Sequence, residues 1–177
     1  MEALKMAKVK EYCEKAELKF RAPPPPLAVN NLKGQRFLDE KKLKILKWQF
    51  QNGPREDLVD QLKELLQAAS INQTLQAQMF HENFRYHLEA LETLIGDLSG
   101  NVAGLIANLD LVLKWLTIRF YDKNTSVILR GLEYLELAFS CLAEQEYLLA
   151  DPERAAFVPH LVIKLGDPKV PVRLGCR

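Results

Sequence analysis

From Phe37 onward the apolar residues recur three and four positions apart, and no run of five or more residues alternates cleanly between apolar and polar. A half-buried strand needs a period of two and one helix face a period of about 3.6, so the chain is constrained to helices. The spacing predicts a first helix over 37–50, closed by the turn residues Asn52, Gly53 and Pro54. A second is expected over 54–69, where Leu58, Leu62, Leu65, Leu66 and Ala69 make one stripe. A short helix over 72–80 ends at the polar break His81, Glu82 and Asn83. Beyond it Phe84, Leu88, Leu91, Ile95 and Leu98 mark another stripe, stopped by Gly96 and Gly100.

The segment 102–121 is apolar nearly all round, as a helix covered on several sides should be, and identifies itself as central. Asn124 is placed to cap the next helix, whose Val127, Gly131, Leu135, Ala138, Phe139 and Leu142 form its buried face up to about residue 147. Asp151 and Pro152 supply a cap and a first-turn proline for a helix reaching Leu165, after which Gly166, Asp167 and Pro168 repeat the signal. Paired antiparallel helices in units of roughly 40 residues have the period of HEAT or armadillo repeats, so the expected fold is an all-α right-handed α-solenoid. Residues 1–36, charged and then broken by Pro23 to Pro26, are expected to be a linker that is partly disordered.

Charge and composition narrow the function. Lysine and arginine number 24 against 23 acidic residues in 177, so no nucleic-acid binding through net charge is expected and any electrostatics is local. Cys13, Cys141 and Cys176 lie far apart, which points to neither a disulfide framework nor a zinc site and fits a reducing compartment. The N-terminus lacks an apolar signal core, and the most apolar stretch, Val102 to Ile118, carries Asn108, Asp110 and Lys114, so neither secretion nor a membrane span is expected. Phosphate-cradling, dinucleotide, zinc-protease and nucleophile-elbow motifs are missing, and the chain reads as a non-enzyme without cofactor or metal. His81 and His87 are too far apart for one helix face, His160 reads as a satisfied half-buried histidine, and Cys141 as a small hydrophobe. Trp115, between Leu111 and Ile118, is expected in the core.

Four stretches, Lys41 to Phe50 (KKLKILKWQF), Met79 to Tyr86 (MFHENFRY), Leu109 to Val127 (LDLVLKWLTIRFYDKNTSV) and Phe157 to Arg173 (FVPHLVIKLGDPKVPVR), carry a resemblance. They resemble the fourth TOG domain of the ch-TOG and Mini spindles family of microtubule polymerases, over about residues 35–173. The resemblance implies a flat paddle of HEAT repeats whose intra-repeat loops along one edge contact tubulin. Carried onto this sequence, the first loop holds Lys47, Trp48, Phe50 and Arg55, and the second His81, Asn83, Phe84 and Arg85. The third holds Asp122, Lys123 and Asn124, and the fourth Asp167, Lys169 and Arg173. Residues 37–177 then form a partial TOG domain of about three and a half helix pairs.

The implied partner is α/β-tubulin or the microtubule lattice, and the implied place the cytoplasmic microtubules, spindle and centrosome. Acidic tubulin calls for fixed cations beside a large apolar anchor. Two readings of Trp48 stay open, an anchor at the loop or a core residue packed on the second helix. One other function stays open, a HEAT-type protein scaffold without tubulin binding, whereas single-stranded nucleic-acid binding by the basic 33–47 region is not expected because Phe37, Trp48 and Phe50 form no stacking platform.

Overall fold

The computed structural model describes residues 3–11 and 24–177; Cys13 and Pro23 lie outside them. Among the described residues all regular structure is helical. The helices are α1 (3–11), α2 (Lys33–Lys41), α3 (Glu56–Ala68), α4 (Gln73–Met79), α5 (Phe84–Leu98), α6 (Val102–Arg119), α7 (Thr125–Glu144), α8 (Asp151–Leu165) and α9 (Val170–Gly175). They pack in two layers. Helices α3, α6 and α8 touch in succession on one side and α5, α7 and α9 on the other, with α6 against α7 and α8 against α9 closing successive pairs. This is the helix-pair stacking of a HEAT-like solenoid.

Helix starts are fixed locally. Asn72, Asn83, Asn101 and Asn124 each accept a hydrogen bond from a backbone N–H in the first turn of the next helix, at 2.9–3.1 Å. Each such cap satisfies a donor that the helix leaves unpaired. At α8 the expected cap moves by one residue: Asp151 is already helical, Ala150 holds the cap position, and the buried Glu153 carboxylate reaches back to accept the Ala150 N–H at 2.8 Å.

The N-terminal side departs most from the sequence reading. The helix expected over 37–50 is displaced to Lys33–Lys41. Leu43 takes a left-handed conformation, φ 58°, and the Leu43 and Lys44 N–H groups turn back onto the Glu40 and Asp39 carbonyls, which ends the helix. Residues 46–50 carry no regular structure, and burial alternates along 47–50: Trp48 and Phe50 are buried while Lys47 and Gln49 are exposed. The Gln61 side chain plays the part of a neighbouring strand, accepting the Leu46 N–H at 2.7 Å and donating to the Leu46 carbonyl at 3.0 Å.

Nor is 27–36 a linker. Leu27 is buried in the core, and the stretch lies along α6. Asn101 donates to the Leu27 carbonyl, Asn108 to the Ala28 carbonyl, and Asn30 to the Asn108 side chain. Farther along, Arg36 grips Asp110, Glu40 faces Lys114, and Trp48 donates to Thr117. Residues 27–50 thus make one strap, and Asn108, Asp110, Lys114 and Thr117 of the otherwise apolar α6 are its docking points. Gly104 is needed for that contact, since a Cβ there would run into the Leu27 carbonyl oxygen.

Candidate partner-binding edge

Four loops meet along one edge of the solenoid, because each helix pair turns there. In the turn before α5, Asn83 caps the helix and donates its own N–H to His81 Nδ1 at 3.0 Å. The His81 ring stacks on Tyr86 with centroids 4.0 Å apart, and Phe84 and Tyr86 are each 40% exposed. In the α6–α7 turn, Asp122 lies 3.3 Å from Arg119 and 3.6 Å from His87. Both of these basic groups are buried beneath the turn, with the Arg119 Nη1 2.5 Å from His87 Nδ1. Burial lowers the Arg119 guanidinium pKa, and the Asp122 carboxylate opposes that shift.

Between the two turns is an open concavity of about 710 Å³ lined by Glu82, Asn83, Phe84, His87, Asp122, Lys123 and Asn124. The α8–α9 turn is tied to the third loop, since Lys169 Nζ donates to Thr125 Oγ1 at 2.7 Å. Asp167 is held by the Lys169 N–H and by Lys164, and both lower its pKa, the backbone contact most. The strap joins at Phe50, whose ring meets Tyr121 edge-on at 5.5 Å and tilts against His160 at 4.3 Å.

The residues assigned by resemblance fall into three groups. Lys47, Arg85 and Lys123 are exposed with no side-chain partner among the described residues, and Phe84 and His81 are exposed aromatics beside them. Others face the edge but already serve the fold: Asn83 and Asn124 as caps, Arg55 paired with Asp57, Asp122 with Arg119, Asp167 and Arg173 within their own turn, and Lys169 bonded to Thr125. Trp48 and Phe50 are corrections. Trp48 is 3% exposed, its Nε1 donating to Thr117 Oγ1 at 2.9 Å, and Phe50 is 9% exposed, so neither offers a surface to a partner. The end of the helix at Lys41 is the reason, since the chain beyond it buries alternate residues over 47–50.

Trp115 is buried as expected, its Nε1 donating to the Met79 carbonyl at 2.8 Å, and His160 is buried against Tyr121. Cys141 is half-buried. Sequence reasoning missed Tyr86, which lies inside the MFHENFRY stretch and shares the aromatic surface with His81. No group of three or more His, Cys, Asp or Glu residues is poised for a metal among the described residues, and no helix there is long and apolar enough to cross a membrane.

Burial lowers the His160 pKa, so the folded chain prefers the neutral ring. A depressed histidine pKa gives stability that is fully present above the unfolded value of about 6.5 and declines as pH falls below it. Thermal unfolding should therefore show a loss of stability on going from neutral pH towards mildly acidic pH, before the carboxylates titrate. His160→Asn should flatten that part of the profile; an unchanged slope would show that another group is responsible.

The fold and the aligned turns define a HEAT-like helical unit with a polar loop edge. No family model matches the chain. Mini spindles of Drosophila melanogaster is 52% identical over 153 residues, covering 86% of this chain and 7% of that protein. Zygote defective protein 9 of Caenorhabditis elegans is 35% identical over 151 residues, covering 85% and 10%. Among solved structures, one from work on how TOG–tubulin binding specificity promotes microtubule dynamics and mitotic spindle formation superposes with a TM-score of 0.84 at 52% identity. A TOG domain structure from C. elegans Zyg9 superposes with a TM-score of 0.81 at 34% identity. The chain spans 62% and 57% of those two solved chains. Its helical unit is therefore homologous to the TOG domains of Mini spindles and Zyg9.

Proposed function

We propose that this unit binds tubulin through the loop edge, as part of a protein that promotes microtubule growth and spindle organisation, and that it works on the microtubule cytoskeleton, spindle and centrosome. It acts by binding, with no catalytic step and no cofactor. The observation that carries the reading is that unpaired Lys123 and exposed Phe84 line one concavity, with unpaired Arg85 exposed next to Phe84 at the start of α5. Fixed cations speed encounter with an acidic surface, and a partly exposed ring supplies apolar contact once docked. Lys47 adds charge from the first loop. The caps Asn83 and Asn124 hold the turns in register, and the ties from Asp122, Asp167, Lys169 and Arg173 keep them from rearranging on binding, which limits the entropic cost of association.

Arg85→Glu combined with Lys123→Glu reverses the local charge without touching a buried group. Co-migration with purified tubulin on size exclusion should be lost, with the association rate falling at least about tenfold at low salt. The melting temperature should stay within about a degree or two, as for other surface changes. Unchanged binding at low salt would place the tubulin contact elsewhere or remove it.

A further inference from the structure

Away from the loop edge, α2, the 43–47 turn and the start of α8 enclose a groove of about 550 Å³, lined by Phe37, Leu38, Leu43, Lys47, Pro152 and Ala155 among others. Two features set it apart. Leu43 is 82% exposed and holds φ 58°, a conformation suited to glycine, yet the position carries a large apolar side chain. Lys41, Lys42, Lys44 and Lys47 are all exposed, and none has a side-chain partner among the described residues. The nearby carboxylates are engaged: Asp39 accepts from Gln35 at 2.8 Å, Glu40 faces Lys114 at 3.5 Å, and Asp151 pairs with Arg154. Glu40 and Asp151 also line the groove, but each has a cation of its own in Lys114 and Arg154, so the groove joins an apolar floor to lysines in excess of free carboxylates.

We infer that this groove docks an acidic segment of a protein partner, carrying one bulky apolar side chain that seats between Leu38, Leu43 and Pro152. The lysines attract the carboxylates over about a Debye length, near 10 Å at moderate salt, and the apolar floor selects the anchor. Lys47 serves this groove as well as the edge, while Arg85 and Lys123 do not line it. The site is thus separable from the tubulin reading.

Fluorescence anisotropy with a synthetic peptide of glutamates around one central phenylalanine, added to the full chain, tests the inference. Saturable binding that weakens with salt is expected. Leu43→Gly fits the backbone conformation and keeps the fold, and should weaken binding by about fivefold. Lys41→Glu with Lys47→Glu should weaken it by more than about tenfold, whereas Arg85→Glu with Lys123→Glu should leave it unchanged. Replacing the peptide's phenylalanine by alanine should cost as much as Leu43→Gly. The inference is overturned if the peptide does not bind. It is equally overturned if the alanine peptide or a short single-stranded DNA binds as tightly, which would mark a generic cationic patch, or if the Leu43→Gly chain binds unchanged.

Discussion

Replacing Trp48 with alanine is expected to destabilise the chain by about 3–5 kcal/mol, the cost of emptying a buried tryptophan site. The indole is 3% exposed, meets Phe50 edge-on at 5.6 Å, and lies 5.9 Å from the Lys114 ammonium. Truncation would open a cavity beside α6 and strip Thr117 Oγ1 of the donor that now reaches it at 2.9 Å. The strap that lies along α6 would lose its C-terminal fastening. Denaturant unfolding gives the measurement: a large fall in midpoint with helicity retained at zero denaturant supports the buried placement. A shift under about 0.5 kcal/mol, typical of surface positions, would return Trp48 to the exposed edge.

The second large effect is expected at Arg36. Its guanidinium grips Asp110 with two bonds, Nε to Oδ2 at 2.8 Å and Nη2 to Oδ1 at 2.7 Å, and Nη2 also donates to the Ala107 carbonyl at 3.1 Å. Both side chains are nearly inaccessible, at 7% and 2% exposure. Arg36→Ala leaves a buried carboxylate without its counter-charge, which typically costs about 3–5 kcal/mol. The double replacement Arg36→Met with Asp110→Leu removes both charges and fills the space, so it should recover most of the loss, since a buried pair contributes little over apolar packing. If the double variant is as unstable as Arg36→Ala, the pair is worth more than its desolvation cost and also positions the strap.

The two experiments probe one element, and it is the element least legible in the sequence. The apolar stripes of α3, α5, α6, α7 and α8 stand out because each helix buries one face, or all of itself, at the helical period. In the strap the apolar spacing over 37–50 reads as one helix, whereas the helix lies at Lys33–Lys41 and the rest packs through remote contacts. Several of its polar groups bond to side chains of α6 and its cap some 70 to 80 positions away, at Asn101, Asn108 and Asp110. Sequence proximity carries no trace of such partners. Leu43 misleads in a related way: a leucine in a lysine-rich run reads as helix interior, yet the chain turns there. The candidate edge was partly legible, because Asn-capped turns announce themselves by residue type. Whether Arg85 and Lys123 stand free while the Lys169 side chain is tied down depends on neighbours from other turns.

The sequence by itself determined that the chain is helical, where its paired helices begin and end from Asn72 onward, and which helix is central. These features obey local rules: periodicity of burial, the chemistry of caps, and the intolerance of helices for Gly-Pro breaks. Only the tertiary structure decided that 27–50 is part of the core, that Trp48 faces α6 instead of a partner, and that Asn108, Asp110, Lys114 and Thr117 of α6 are docking points. Those outcomes depend on contacts between segments remote in sequence, where a buried polar atom must find a donor or acceptor and a tryptophan goes to the space that helix packing leaves open.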